Sequence, residues 1–265
     1  MLNQQIVTST LKSNTIDINE DSSYNISFDS DSILFFNLHS INQLSINVSV
    51  LDNVRARIIF WSEEDSDITI KENYEVNRDA FLNIIYGELS SGNINRHMEC
   101  NLYQGSELLV DGASVTDSKK HQTFIANHLE GSTTSNLNNY GIVSEGGNYF
   151  LDVVGSIVKG ATGSKAHQDS RILTISDNQS ATVLPQLLID ENDVEASHAA
   201  TVGQIDEMQL YYMQSRGLSE MESMALLMSG YLMPIARAIT DETLSLHVEE
   251  LINSKVSEIC SQTKK

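Results

Sequence analysis

A fixed spacing of apolar doublets is the feature that most limits the possible folds of this 265-residue chain. Doublets recur every 15 residues at Ile142-Val143, Ile157-Val158, Ile172-Leu173 and Leu187-Leu188, with polar turns such as SEGGN and SDNQSA between them. Short strands at a constant interval are typical of a solenoid, in which each coil buries its inward side chains against the next coil. A β-sandwich with evenly spaced strands is the alternative that the spacing leaves open.

The same strand-like composition extends over residues 1–203. Segments such as LSINVSVLD and RARIIFWSEE are short, rich in β-branched and aromatic residues, and separated by clusters of Asn, Asp, Ser and Gly. No long amphipathic helix interrupts them, which argues against alternating strand–helix units. The sequence therefore predicts a mainly β protein with a core domain over residues 1–203.

Beyond residue 203 the pattern becomes helical. DEMQLYYMQSR is followed by Gly217, which is placed as a C-terminal stop, and Ser219 with Glu222 forms a capping box for a second helix. A third amphipathic helix is predicted from near Thr240-Asp241. Residues 204–265 are therefore predicted to form a C-terminal helical domain.

Methionine is concentrated in this helical domain. Six of the eight methionines lie between residues 208 and 233. Thioether side chains fill irregular cores and also recur at adaptable binding surfaces, so both interpretations stay open. Three helices of this size cannot bury all their apolar faces among themselves. Part of the apolar stripe must contact the β region, a partner, or both.

Charge and composition exclude several classes of partner. The chain has 16 basic and 36 acidic residues and a formal charge of −20, which repels nucleic acid and anionic lipid. No apolar run is long enough to span a membrane, and the first residues, MLNQQIVTSTLK, do not resemble a secretory signal. Two widely separated cysteines, Cys100 and Cys260, fit a reducing cytoplasm. We expect a cytoplasmic protein that binds neither nucleic acid nor membranes.

Catalytic motifs are absent from the sequence. Gly163-Ser164-Lys165 is not a phosphate-binding loop, and no HExxH or GxSxG occurs, so we expect no enzymatic activity. His97 and Cys100 would point to opposite faces of a strand and are not expected to share a metal. His198 lies among small residues where strands give way to helices. Imidazole can bind iron or zinc, but chemistry alone favours a structural role for this residue.

Two consecutive segments resemble a known family. SHAATVGQID and QLYYMQSRGLSEMESMALLMSGYL are similar to the C-terminal signature of the SufB/SufD family, the scaffold subunits of a sulfur-mobilisation system that assembles iron–sulfur clusters. The strong resemblance covers roughly residues 120–235, including Leu184-Pro185-Gln186, whereas the first 120 residues fit by β character only. The matching signature residues are His198, Ala200-Thr201, Asp206, Gln209-Leu210-Tyr211-Tyr212 and Ser215-Arg216-Gly217-Leu218-Ser219-Glu220.

The resemblance implies a right-handed parallel β-helix followed by a helical domain. In this family the helical domain docks a SufC ATPase, and the β-helices of SufB and SufD pair with each other. ATP would be bound by the SufC-like partner only, and any iron–sulfur cluster would be held transiently at an interface. The residues that would form the ATPase-docking surface are Met208, Leu210, Tyr211, Tyr212, Met213, Arg216, Gly217, Met221, Met224 and Met228.

Two departures from SufB make the chain resemble SufD more closely. The turn Asp177–Ser180 has no thiol where SufB carries a cysteine, and Ala199 replaces the glutamate that follows the signature histidine in SufB. His198 matches the SufD histidine that is implicated, with a SufB cysteine, in the nascent cluster site. The resemblance therefore implies a transient iron or cluster ligand at His198 and at most half of a site on this chain, since cluster binding normally takes several thiolates.

The partner could be a SufB-like subunit or a second copy of the chain. Two other functions stay open. A β-helical carbohydrate-active enzyme needs clustered carboxylates, and the run from Asp190 to Glu195 is the one acidic candidate. A homodimeric structural scaffold without a cluster role is the other alternative.

Overall fold

The computed structural model is a parallel β-solenoid followed by three helices, and it describes residues 2–11, 14–62, 64–239 and 241–262. Odd-numbered strands form one eight-stranded sheet and even-numbered strands form a second, counted over these residues. The strands are β1 (Leu2–Val7), β2 (Thr15–Ile18), β3 (Ser22–Phe28), β4 (Ser32–Leu38), β5 (Gln43–Val50), β6 (Arg55–Ser62), β7 (Ile68–Val76), β8 (Phe81–Glu88), β9 (Ile94–Leu102), β10 (Glu107–Thr116), β11 (Lys119–His128), β12 (Thr134–Val143), β13 (Asn148–Ile157), β14 (Ser164–Thr174), β15 (Ser180–Ile189) and β16 (Val194–Gln204).

The predicted solenoid is confirmed, and the sandwich alternative is wrong. Every strand pair in the described residues is parallel, whereas a sandwich is built from antiparallel pairs. The 15-residue spacing is one strand plus one turn, so successive doublets alternate between the two sheets. One coil therefore takes two repeats, and a residue in β14 pairs with the residue thirty positions later in β16.

The main core lies between the two sheets. Alternate residues of each strand point inward, so β3 is buried at every second position from Ser22 to Phe28. Inward rings of neighbouring coils stack on one another, as in the pair Phe36 and Phe60 with ring centroids 5.2 Å apart. This regular burial of apolar side chains in successive coils is what stabilises a solenoid.

Three helices follow the last strand: α1 (Glu207–Ser215), α2 (Glu220–Ala238) and α3 (Glu242–Gln262). The predicted capping box is confirmed, because the backbone N–H of Ser219 donates to Glu222 Oε2 at 2.8 Å while Ser219 Oγ accepts from the Glu222 N–H. Gly217 has a φ of +98°, as expected of a helix stop. Asp241 Oδ1 accepts from the N–H of Leu244 at the start of α3, while Thr240 lies outside the described residues.

A proline lies inside the second helix. Helix α2 continues through Pro234 to Ala238. A proline inside a helix removes one backbone hydrogen bond and normally disrupts the preceding turn. Here Leu232, Ile235 and Ala236 are buried on either side of the proline, and their packing holds the last turn in place.

Helices α2 and α3 cover the outer face of the even-numbered sheet. A second apolar cluster joins sheet residues such as Trp61 and Ile142 to Leu232 of α2 and Ile252 of α3. This contact confirms that the helical stripe cannot be buried among the helices alone. It leaves α1, which contributes no buried residue, as the most exposed helix.

Candidate functional site: the open end of the solenoid and helix α1

The last coil leaves one end of the solenoid open. Strands β15 and β16 are the terminal strands of their sheets, so each has one edge whose backbone groups are available for pairing. We call this surface the open end and define it by the inward-facing residues of the two strands. They are Ala181, Val183, Pro185 and Leu187 of β15 and Ala196, His198, Ala200 and Val202 of β16.

The open end is apolar and only partly covered. Its inward positions continue the columns of the buried core, as when Val183 follows Leu151 of β13. In this last coil the same positions are half-buried or exposed, and Val202 is 45% exposed. An apolar surface bordered by two unpaired strand edges is suited to strand-to-strand association.

His198 lies at the centre of β16, on the inward face of the open end. It pairs in register with Gln168 of β14, and Ala196 and Ala200 are the next inward residues on either side. The His198 side chain is exposed. The small neighbours leave the imidazole accessible from outside the solenoid, and the strand continues to Gln204 before α1 begins.

A group of buried polar side chains lies directly beneath His198 and was missed from sequence. Gln168 Oε1, Ser170 Oγ and Asn139 Nδ2 are each buried without a hydrogen-bond partner in the described structure. Asn139 and Ser170 are register neighbours, and the Tyr86 hydroxyl donates to Asn139 Oδ1 at 2.7 Å. Gln168 and His198 are thirty residues apart in sequence, and this separation equals the length of one coil. The sequence reveals that they are neighbours only when the coil length is already known.

Helix α1 presents a patch of large exposed side chains. Met208 is 70% exposed and Tyr211 is 68% exposed, and Tyr212 lies beside them with Arg216 over its ring at 5.2 Å. Asp206 caps the helix by accepting from the Met208 N–H at 2.8 Å. We call Met208, Tyr211 and Tyr212 the α1 patch; it borders a hollow of about 460 Å³ that extends to Leu227 of α2.

The residues expected to dock an ATPase do not all lie at the surface. Leu210, Met213, Met221 and Met224 are half-buried, whereas Arg216 and Gly217 are exposed like the α1 patch. Met228 is fully buried in the cluster formed by α2, α3 and the even-numbered sheet. Its assignment to a docking surface is therefore corrected: Met228 is a core residue, because the helix face that carries it packs on the sheet.

Other candidate metal ligands are placed apart. His97 points outward from β9 while Cys100 points inward, as predicted. Burial raises the pKa of both the Cys100 and the Cys260 thiols, so neither favours the thiolate form that binds metals. Among the described residues no three His, Cys, Asp or Glu side chains are close enough together to hold a metal ion.

The acidic run after β15 lies at a turn. Glu191 Oε2 accepts from the backbone N–H of Gly160 at 2.9 Å, and Glu195 forms an ion pair with Lys165 at 3.0 Å. These carboxylates thus bind the turn and strand of the neighbouring coil. In the part of the chain that the structure describes, no helix has the length and apolar character needed to cross a membrane.

Comparison with known proteins decides the family. The profile of the family described as "SUF system FeS cluster assembly, SufBD core domain" matches residues 2–231. The chain belongs to this family. The match begins at the first coil, so the N-terminal coils, which resembled the family by β character only, are part of the same domain.

Individual relatives agree with this assignment. The chain is 31% identical to the iron–sulfur cluster assembly protein SufD of Bacillus subtilis over 183 residues, which is 68% of this chain and 42% of that protein. Identity to SufD of Escherichia coli is 26% over 49% of this chain and 30% of that protein. Identity to SufB of Bacillus subtilis is 23% over 62% of this chain and 36% of that protein. The chain is SufD-like, and it spans less than half the length of these curated relatives.

Proposed function

We propose that this chain is a non-enzymatic, cytoplasmic SufD-like subunit of a SufBCD-type complex that assembles iron–sulfur clusters. It would pair through the open end with a SufB-like subunit or a second copy of itself, and it would dock a SufC-like ATPase through α1 and the adjoining part of α2. The observation that carries the proposal is the position of His198, which the SufD-like signature supplies, on the inward face of an uncovered last coil.

Pairing at the open end is supported by the backbone and by the side chains. A partner strand placed against β15 or β16 would satisfy the free edge of each sheet and cover the half-buried apolar column between them. His198 would then lie inside the interface, within reach of the partner's side chains. One imidazole cannot hold a cluster alone, so the thiolates would come from the partner, and the cluster would be cargo that passes through the interface.

Docking of the ATPase is supported by the α1 patch. Aromatic and methionine side chains are over-represented at protein interfaces, and here they stand beside a hollow that a partner side chain could fill. Nucleotide would be bound by the ATPase, and its conformational change would reach the open end through the short connection between β16 and α1. The chain itself would then need no bound cofactor.

Replacing Met208 by Asp is expected to weaken binding of the SufC-like ATPase at least 10-fold, because a central apolar contact is replaced by a charge. Met208 lies in the first turn of α1, where a negative charge favours the helix, so the fold should be retained. Isothermal titration of each variant with the cognate ATPase gives the dissociation constant.

The control for this test is Leu246→Asp, which makes the same kind of change at an exposed leucine of α3 (56% exposed) away from the α1 patch. It should bind the ATPase like the unchanged chain. Equal binding by the Met208 variant, or equal loss in both variants, would remove α1 from the docking surface.

Replacing His198 by Ala is expected to leave complex formation intact while lowering the iron and sulfide content of the purified complex several-fold. The exposed ring makes little contribution to the core, so the variant should fold normally. His247→Ala changes an exposed histidine of α3 and serves as the matched control. Full cluster content in the His198 variant, or failure of that variant to fold, would refute the ligand role.

A further inference from the structure

The carboxamide of Gln168 lies directly behind His198. The two residues pair in register on β14 and β16 and both face into the solenoid, so their Cα atoms are separated by about one inter-strand spacing, ~4.8 Å. Gln168 Nε2 donates to the backbone oxygen of Gln186 at 3.0 Å. Gln186 belongs to β15, the other strand of the last coil, so this hydrogen bond holds the amide at the level of His198.

The other end of the same amide lacks a partner. Gln168 Oε1 is buried and accepts no hydrogen bond in the described structure. Leaving such an acceptor unsatisfied destabilises the folded state, and buried polar atoms of this kind are rare unless a donor is close by. The ring of His198 is the donor-bearing side chain of the adjacent coil in the same inward column, and an imidazole carries at least one N–H in both its neutral and its charged form.

A glycine makes room for this amide on the opposite sheet. A Cβ atom at Gly155 would lie 3.3 Å from Gln168 Nε2 and 3.1 Å from Leu187 Cδ2, closer than side chains normally approach. Gly155 faces inward on β13, one coil below Leu187. Because Gly155 has no side chain, the inner wall of the solenoid leaves space for the Gln168 amide at this position. This space holds the amide beneath the open end.

We propose that Gln168 is a positioning residue for His198: rotation of the exposed imidazole lets its Nδ1–H donate a hydrogen bond to Gln168 Oε1, the acceptor that has no partner in the described structure. This bond fixes one tautomer and turns the lone pair of Nε2 toward the mouth of the open end. Histidines that ligate metals almost always donate their other ring N–H to such a partner. The use of that lone pair for iron rests on the proposed function, whereas the hydrogen bond does not depend on it.

The test is nitrogen NMR of the isolated chain with labelled histidine, at about pH 8.5, where an ordinary imidazole is neutral. The spectrum of a His198→Asn variant identifies the His198 signals. In the unchanged chain the two ring nitrogens should have well-separated shifts, with Nδ1 protonated. In Gln168→Met, which keeps the side-chain length but loses the acceptor, they should move toward the averaged shifts of a free imidazole, while Gln168→Glu, which keeps an acceptor, should retain the separation.

The matched control is Gln186→Met. Its side chain points outward and donates to Asp152 Oδ1 at 2.7 Å, so the change removes a glutamine from the same coil without touching the proposed bond. The His198 shifts should not move in this variant. Averaged shifts in the unchanged chain, or unchanged shifts in Gln168→Met, would overturn the proposal.

Measuring the cluster content of the complex distinguishes failure of the positioning bond from failure of the proposed ligand role of His198. If His198 ligates the cargo, Gln168→Met should lower the cluster content of the complex about 10-fold, the usual effect of losing such a partner. If the His198 shifts move while cluster content does not, the positioning bond stands and the ligand role of His198 is refuted. If neither changes, the positioning bond is refuted while the rest of the proposed function stands.

Discussion

Replacing Arg96 by Met should lower the free energy of unfolding by about 3–5 kcal/mol, the usual effect of removing one partner from a buried ion pair. Arg96 lies inside the solenoid between two buried carboxylates. Its Nε is 3.0 Å from Glu88 Oε1, and its Nη1 is 3.7 Å from Glu72 Oε2. Without the guanidinium, two acidic groups would remain in the core, and no other cation of the described residues lies within ion-pair distance of them.

The aromatic surroundings of Arg96 prevent water from easily taking the place of a lost guanidinium. The guanidinium lies over the rings of Phe60 and Tyr86, at 5.2 and 4.9 Å, so water cannot replace it easily. Burial lowers the pKa of Arg96, but the charges of Glu72 and Glu88 outweigh this effect, and the net shift is upward. The guanidinium is therefore charged in the folded protein, and it holds its two partners in place.

The stability loss should depend on pH. Burial already raises the pKa of Glu72, and losing the arginine would raise it further. A carboxyl whose folded pKa exceeds its unfolded value stabilises the folded state below the unfolded value and loses that effect as pH rises through the folded value. The difference in the free energy of unfolding between the variant and the unchanged chain should therefore become smaller as the pH is lowered from 7 toward about 4.

Chemical denaturation at several pH values measures this effect. Arg171→Met is the control, because Arg171 pairs with Asp169 at 2.8 Å on the exposed face of β14, where such a pair contributes about 0–1 kcal/mol. Adding Glu72→Gln and Glu88→Gln to Arg96→Met should recover part of the loss, since neither carboxylate is then buried without its arginine. Equal losses for Arg96→Met and Arg171→Met would show that the buried pair does not stabilise the fold.

The sequence predicted the solenoid because its spacing is a local property. Doublets such as Ile172-Leu173 repeat at a constant interval, and each places one side chain inside the solenoid and one outside. The capping residues Ser219 and Glu222 were predictable for the same reason, since their partners lie within one helical turn. The sheet against which α2 packs was not predictable, because its residues lie far away in sequence.

The buried polar groups could not be predicted from the sequence alone. Glu72 falls on an inward position of β7, but alternation does not reveal that its cation, Arg96, comes from the next coil. In the sequence Gln168 likewise looks like any other polar strand residue, and only the strand register shows that it lies under His198. Which residues share a column depends on the length of every turn, and turn lengths vary along this solenoid.

Replacing Val202 by Lys should abolish pairing through the open end while leaving the isolated chain stable. Val202 faces inward on β16 but is 45% exposed, so the lysine can reach solvent in the free subunit. An inward-pointing charge on a strand edge opposes pairing with another strand. Burying it unpaired in the interface costs about 2–5 kcal/mol, which weakens association by roughly 30- to 5,000-fold.

The opposite end of the solenoid provides the control. Val7 is 41% exposed on β1, the terminal strand at the other end of the odd-numbered sheet, so Val7→Lys places the same charge at an outward-facing position of the opposite strand edge. Analytical ultracentrifugation of each variant, alone and with a SufB-like subunit, separates self-association from pairing with that subunit. Loss of both kinds of complex in Val202→Lys alone would place the interface at the open end, whereas loss in Val7→Lys alone would move it to the first coil and remove His198 from it.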